Sequence, residues 1–304
     1  MVRPAPGNLD RRGHRFADRA LGCETLPPGM ADHTDQAILV TGASRGIGRA
    51  IAHRFGGLGG RIALVATNTE LLAQVAAELP PGTQTLVITA DLTDPAECRR
   101  AVREAEQALG PIEVLVHNAG VLSRDFVEDV TEADFERAHR LNAGAALWLS
   151  QAVLPGMRAR GHGAIVLVSS ELGIIGAPTY TSYCTSKWAQ LGLAEVLRHE
   201  LVGSGIQVCA VCPADVRTDQ LEQEHAWGPT GGQPPSKALA PDAVARAVVR
   251  GAEGTKPLII VDRPLMALGF RIMGGPRRLR FRPIHDAFKD LLKERRPRAS
   301  SGGT

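Results

Sequence analysis

The chain has 304 residues, 44% of them apolar, and a formal net charge of +3. That length and apolar fraction suit one large α/β domain with a substantial core better than two small domains. No apolar run reaches the roughly 18–20 uncharged residues of a membrane span. The most apolar late stretch, PLIIVDRPLMALGF, carries Asp262 and Arg263. Five cysteines in a long chain without a signal-peptide core exclude a disulfide scaffold and point to free thiols in a reducing, cytoplasmic setting.

Residues 1–35 are rich in Pro and Gly, with five Arg balanced by five Asp/Glu and no apolar periodicity, so they read as a disordered N-terminal extension. Arg-rich transit peptides are acid-poor, which this segment is not. Met30 offers a second start. From Ala37 onward, seven β-type runs (37–41, 61–66, 85–89, 112–117, 164–169, 206–211 and 257–261) alternate with helical patterns. Such alternation predicts a parallel sheet covered by helices on both faces. Asp94-Pro95-Ala96-Glu97 reads as an N-cap, a Pro at the first helical position and a Glu at the third, and Thr67-Asn68-Thr69-Glu70 reads as a capping box. The interior loop signal is AWGPTGGQPPSKALA, 226–240, which places a substrate lid near 215–240. Residues 263–304 form a basic C-terminal extension: positions 271–298 hold ten Lys/Arg against three Asp/Glu. Within it Ile284, Phe288, Leu291 and Leu292 make an apolar stripe flanked by basic residues. The stripe can pack on the body or a second subunit, or touch an anionic membrane surface.

The first run leads directly into Thr41-Gly42-Ala43-Ser44-Arg45-Gly46-Ile47-Gly48, followed by a helical segment. Glycines at such a strand-to-helix junction permit a tight turn and close approach to a pyrophosphate, whose charge the helix N-terminus favours. A second cluster draws notice by composition. The chain holds only two tyrosines, Tyr180 and Tyr183, and both lie within eight residues of Lys187. On a helix, residues four apart share a face, so Tyr183 and Lys187 can meet while Tyr180 sits nearly two turns from the lysine.

TGASRGIG resembles the TGxxxGxG fingerprint of the short-chain dehydrogenase/reductase family. The likeness covers roughly residues 36–262, which implies a doubly wound Rossmann fold with a seven-stranded parallel sheet. It continues through Asp91, which the family sets beside adenine, and through His117-Asn118-Ala119-Gly120, where the family has NNAG and His117 departs from it. In Pro213-Ala214-Asp215-Val216-Arg217-Thr218 it matches PGxVxT, with Ala214 in place of Gly. By resemblance the cofactor contacts are Gly42, Ser44, Arg45, Gly46, Ile47, Gly48, Thr67, Asp91, Asn118, Ala119, Gly120, Tyr183, Lys187, Pro213, Val216 and Thr218. The second run ends in Ala66-Thr67-Asn68-Thr69 without a carboxylate to hold the ribose hydroxyls. Arg45 can instead meet a 2′-phosphate, so NADP is expected, with NAD possible.

The same resemblance implies catalysis by Asn142, Ser170, Tyr183 and Lys187, with Ser170 thirteen residues before Tyr183 as in the family. Hydride transfer to a carbonyl leaves charge on oxygen, which needs a donor and a proton source. Tyr183 offers both, Ser170 a second donor, and Lys187 an ammonium that favours the phenolate. By the family pattern Lys187 also touches the nicotinamide ribose, and Asn142 holds a water that links Lys187 to solvent. Ser169 is expected to face the opposite side from Ser170. Leu172, Ile174, Ile175, Pro178 and Trp227 are candidate walls for an apolar carbonyl substrate. His199-Glu200 begins like H-E-x-x-H, but Gly203 takes the second His position, so no metal is expected. Cys209 and Cys212 lie three apart on one apolar run and face opposite sides, as core residues. The resulting expectation is an NADP-dependent enzyme interconverting ketone and secondary alcohol, a homodimer or homotetramer without nucleic-acid partners. The alternative is a nucleotide-sensing regulator of the same fold.

Overall fold

The computed structural model describes residues 33–222 and 238–261. The expected N-terminal and C-terminal extensions, with the apolar stripe and Trp227, lie outside the described residues.

Seven strands form one parallel sheet. They are β1 (Ala37–Thr41), β2 (Arg61–Ala66), β3 (Thr85–Thr89), β4 (Ile112–His117), β5 (Gly163–Val168), β6 (Ile206–Pro213) and β7 (Leu258–Val261). The spatial order is β3-β2-β1-β4-β5-β6-β7. The seven apolar runs therefore become seven strands. Their near-continuous hydrophobicity follows from burial on both faces, which a parallel sheet requires. All five residues of β1 are buried. Chain direction across the sheet reverses between β1 and β4, and at such a switch point a crevice opens beyond the carboxyl ends of the strands.

The helices are α1 (Gly46–Gly57), α2 (Thr69–Glu78), α3 (Pro95–Leu109), α4 (Glu132–Ala138), α5 (Ala145–Arg160), α6 (Thr181–Glu200) and α7 (Pro241–Glu253). Leu39, Leu115, Ile165 and Val208 pack with Ala101, Val102, Leu149, Val153 and Leu197 in one core that joins α3, α5 and α6 to the sheet. α1 and α7 pack together elsewhere on the sheet, burying Ile51, Phe55, Val244 and Val248. At about 25 cal/mol per Å² of apolar area, fully burying each large side chain is worth about 1.5–3 kcal/mol, an upper figure because unfolded chains are already partly compact.

Local signals set the helix ends, with one correction. Asp94 caps α3 as the sequence indicates, its carboxylate accepting from Ala96 N at 2.7 Å, with Pro95 next. At α2 the expected capping box is displaced by one residue. Asn68, not Thr67, is the cap, its Oδ1 accepting from Leu71 N at 2.8 Å. Thr67 stays outside the helix, so Glu70 falls at the second helical position and loses the reciprocal role that the box gave it. Between α4 and α5 the helix widens into a π-helical turn, His139–Gly144, which carries Asn142. Such turns recur at functional sites because they re-aim side chains.

Candidate active site

The Gly-rich turn is built for close approach. Gly42 and Gly46 take φ of +62° and +55°, where a side chain is strained. A Cβ on Gly48 would meet Gly42 O at 2.0 Å, so the first turn of α1 presses on the loop backbone itself. α1 has no acidic residue in its first turn, and its N-cap Arg45 is extended and exposed. The N–H groups of the first turn and the positive end of the helix dipole therefore converge where a phosphate would sit. The turn suits a dinucleotide pyrophosphate.

β4 anchors this turn from the neighbouring strand. Thr41 Oγ1 accepts from Asn118 N and Ala119 N, each at 3.0 Å, while Asn118 Nδ2 donates to Thr41 O at 3.1 Å and Gly42 O at 3.2 Å. His117 is completely buried, with Nδ1 3.2 Å from Thr41 Oγ1 and Nε2 3.2 Å from Asn142 O. Burial, helped by the nearby Lys187 charge, pushes its pKa down to about 3. The imidazole is neutral. The strand geometry expected to survive the departure from NNAG does survive, because His117 finds a partner for each ring nitrogen.

A cavity of about 1000 Å³ runs from the turn to the start of α6. Its walls include Gly42, Ser44, Arg45, Gly46, Ile47, Thr67, Asp91, Asn118, Ala119, Gly120, Pro213, Val216 and Thr218. Ser170, Tyr183 and Lys187 line the same space. Gly48 and Asn142 lie behind the wall. Asp91 accepts from Thr93 N at 3.0 Å, and chiefly that bond holds its carboxyl below the usual range. Thr218 packs against the turn, where a Cβ on Gly46 would come within 3.0 Å of Thr218 Cγ2. Beyond Thr218 the expected lid is described only through residue 222 and again from 238, where Val216 pairs with Leu239 as an isolated bridge.

The four expected reacting residues converge from three elements. Ser170 follows β5 and caps a short 3₁₀ turn, Glu171–Gly173, its Oγ accepting from Leu172 N at 3.1 Å. That leaves its hydroxyl proton to donate. Ser169 is turned away, its Oγ donating to Lys187 O at 3.2 Å. Tyr183 and Lys187 occupy one face of α6, with the ammonium 5.7 Å from the phenol ring centroid. Lys187 Nζ donates to Val168 O at 2.9 Å and Gln190 Oε1 at 3.3 Å. An ammonium has three protons, so one remains for the cavity side. Burial lowers the pKa of Lys187 to about 8, which keeps it mostly charged at neutrality. Asn142 is fully engaged as a donor: Nδ2 serves Val121 O at 3.0 Å and Ser186 Oγ at 2.8 Å, while Oδ1 accepts from Val121 N at 2.9 Å. Its side chain thus staples the 121 loop to α6, and only acceptor capacity on its oxygens is left for the expected water.

The substrate end departs from the sequence reading in two places. Leu172 and Ile175 line the cavity as expected, joined by Leu122 and Ala177, but Ile174 and Pro178 do not. The 3₁₀ turn rotates Ile174 off the wall, which side-chain type alone does not reveal. Arg124 and Glu171, not singled out from sequence, bring charge to this end. Arg124 stacks on Tyr180, 4.9 Å from the ring centroid, and reaches Thr179 Oγ1 at 3.5 Å. Cys98, Cys184, Cys209 and Cys212 are free and buried, and no group of metal-ligating side chains occurs among the described residues. No helix among them is long and apolar enough to cross a membrane.

A doubly wound sheet, a phosphate-ready turn at its switch point and a Ser, Tyr and Lys beside it define a dinucleotide-dependent oxidoreductase class. Comparison with known proteins makes the class a family. The family profile described as short chain dehydrogenase matches residues 36–228, and the chain belongs to that family. It is 32% identical over 225 residues to 2-(S)-hydroxypropyl-CoM dehydrogenase 3 of Xanthobacter autotrophicus, covering 71% of this chain and 88% of that one. To 3-ketodihydrosphingosine reductase of Bos taurus it is also 32% identical, covering 71% and 68%. The solved structure of levodione reductase superposes with a TM-score of 0.73 at 25% identity, covering 77% of this chain and 98% of that one. The protein is an oxidoreductase acting on CH–OH groups and their carbonyl counterparts, with a nicotinamide cofactor.

Proposed function

We propose that the protein is an NADP-dependent enzyme that interconverts a ketone and a secondary alcohol, with Tyr183 as general acid and base. The observation that carries this reading is the shared cavity. Tyr183, Ser170 and the buried Lys187 open onto the same space as the Gly-rich turn. When bound, the nicotinamide supplies the hydride to the carbonyl carbon, or accepts it in the reverse direction. In reduction Tyr183 passes its phenolic proton to the carbonyl oxygen as the C=O becomes CH–OH, and Ser170 donates a second hydrogen bond to that oxygen. Lys187 then faces a phenolate, which its ammonium stabilises until a solvent proton restores the phenol. Gly42, Gly46, Ile47, Asn118 and Thr218 would hold the cofactor's phosphates and nicotinamide end, and Asp91 its adenine.

Preference for NADP rests on an absence and a presence near the end of β2. No carboxylate occupies Thr67, and with Asn68 as the cap Glu70 is carried into α2 and off the cavity wall. Arg45, exposed on the wall, has the geometry to pair with a 2′-phosphate. Leu122, Leu172, Ile175 and Ala177 favour an apolar substrate body. Exposed Trp188 and Val196 on α6 and Leu147 on α5 support a homo-oligomer packed through these helices, which sedimentation would detect. Free cysteines support a reducing, cytoplasmic location.

The deciding experiment screens apolar ketones and secondary alcohols against NADPH and NADH, following the absorbance of reduced nicotinamide. Turnover with NADPH that is lost in Tyr183→Phe is expected. A well-folded wild type that binds cofactor and turns over no carbonyl or alcohol in the panel would favour the nucleotide-sensing alternative.

A further inference from the structure

A continuous buried hydrogen-bond chain crosses the protein from the cofactor turn to the reacting residues, and one side chain is its hinge. It begins at the carboxyl end of β1, where the Thr41 hydroxyl accepts from two backbone N–H groups of the adjacent loop. Two accepted bonds fill its lone pairs, and its single proton has two acceptors in reach, Nδ1 of His117 at 3.2 Å and, farther off, Val116 O at 3.5 Å, of which the imidazole is the nearer. A backbone carbonyl only accepts, so the other ring nitrogen, Nε2, carries the imidazole proton and gives it to Asn142 O at 3.2 Å. Asn142 Nδ2 donates to Ser186 Oγ at 2.8 Å, and Ser186 Oγ donates to Tyr183 O at 2.8 Å. Thr41, His117, Asn142 and Ser186 are each completely buried.

We propose that His117 is a positioning residue for the reaction, its imidazole locking the cofactor turn, the π-helical turn of Asn142 and the start of α6 into one register. The proposed reaction supplies the kinetic half of the test, while the spectroscopic half stands without it. The role needs a side chain that accepts at one end and donates at the other across about one ring width. A neutral imidazole does this, and so does an amide, which the family carries at this position. An aliphatic residue of similar volume does not: it takes the imidazole donor from Asn142 O and leaves the Thr41 proton only the longer bond to Val116 O. The π-helical turn makes the link specific. Asn142 lies within that turn, and its carbonyl oxygen is the one that His117 Nε2 reaches. Small displacements of Asn142 pass through Ser186 to the backbone of Tyr183, and reacting groups lose rate steeply with sub-ångström misplacement.

The test exploits the scarcity of tyrosine. In a Tyr180→Phe background Tyr183 is the sole tyrosine, so ultraviolet phenolate absorbance reports its titration alone. His117→Leu and His117→Asn are compared with the parent for that titration, for kcat and KM with a responsive ketone, and for NADPH dissociation. His117→Leu is expected to move the Tyr183 midpoint and to lower kcat about tenfold or more while NADPH affinity stays within about twofold. His117→Asn is expected to restore both. A folded His117→Leu protein with parental titration and kcat overturns the proposal, as does an Asn variant as impaired as the Leu variant. Should His117→Leu fail to fold, Ser186→Ala cuts the chain at its other end, and an unchanged Tyr183 titration there also overturns it. If the parent turns over no ketone, the reaction reading fails by itself, and the titrations alone decide the role of His117.

Discussion

The two ends of the cavity are made of different materials. At the cofactor end, backbone dominates: positive-φ glycines, helix N–H groups and strand termini set the walls, and Asn118 and Thr41 tie loop to loop through main-chain atoms. At the substrate end, side chains on connecting segments dominate, with isolated bridges in place of ladders, as between Asp125 and Tyr180 or Val216 and Leu239. A backbone-built wall tolerates little change because nothing in it can be trimmed. A side-chain wall can be altered residue by residue without loss of the fold, which is how one scaffold serves many substrates.

The sharpest way to break this comparison is at the border, where Tyr183 belongs to the chemistry and Tyr180 to the wall. Tyr183→Phe is expected to lower kcat by about a hundredfold or more, the lower range for loss of a general acid, with cofactor affinity nearly unchanged. Tyr180→Phe removes one hydroxyl from the wall and should cost less than about tenfold, mainly in KM. Steady-state kinetics of the pair decides the assignment, and equal losses would sink it.

Arg45 is the exception at the cofactor end, a side chain where backbone otherwise rules. Arg45→Ala is expected to weaken NADPH binding by about 1.5–3 kcal/mol, roughly ten- to a hundredfold, and to leave NADH binding nearly as it was. Fluorescence titration with both cofactors reads the difference. Parental NADPH affinity in the variant would remove Arg45 from the site.

Protons probe the seam between the two ends. His117 is held near a pKa of about 3 in the folded protein against 6.5 for the free group. Between those values the unfolded chain binds the extra proton, so this contribution to stability is complete above pH 6.5 and is lost as pH falls toward 3. Its slope is at most about 1.4 kcal/mol per pH unit. Denaturant unfolding at pH about 7 and about 5 should therefore show a smaller acid loss in His117→Asn than in the parent. Equal losses would mean that His117 does not carry the effect.

The smallest effect expected is at α2, remote from the chemistry. Asn68→Ala removes the cap that Leu71 N uses and should lower stability by about 1 kcal/mol, while Thr67→Ala should change it by less. Thermal melts of the two variants distinguish the observed cap from the one that sequence favoured.

That displaced cap marks the boundary of what sequence could convey. Thr67 and Asn68 are both good caps, and which one serves depends on where β2 stops pairing with β3, at Ala66. Ile174 and Pro178 looked like wall residues by type, yet neither lines the cavity, Ile174 because it closes the short turn Glu171–Gly173. Arg124 carried no local signal, because its partners Thr179 and Tyr180 lie more than fifty residues away. Asn142 was legible as a reacting-site residue, yet its anchoring of Val121 and Ser186 was not.

The sequence by itself determined the seven strands and the Gly-rich turn, because apolar runs between helical patterns and glycines at a strand-to-helix junction are local consequences of backbone sterics. Helical spacing also put Tyr183 and Lys187 on one face, since residues four apart on a helix share it, while Ser170 and the reacting role of all three came from the family resemblance. Only the tertiary structure decided how those parts engage. Burial sets Lys187 near a pKa of about 8 and leaves His117 neutral, and desolvation is a property of the packed neighbours and not of the residue. The chain from Thr41 through His117 and Asn142 to Tyr183 joins four separate segments, and hydrogen bonds between them exist only once the sheet has brought their ends together.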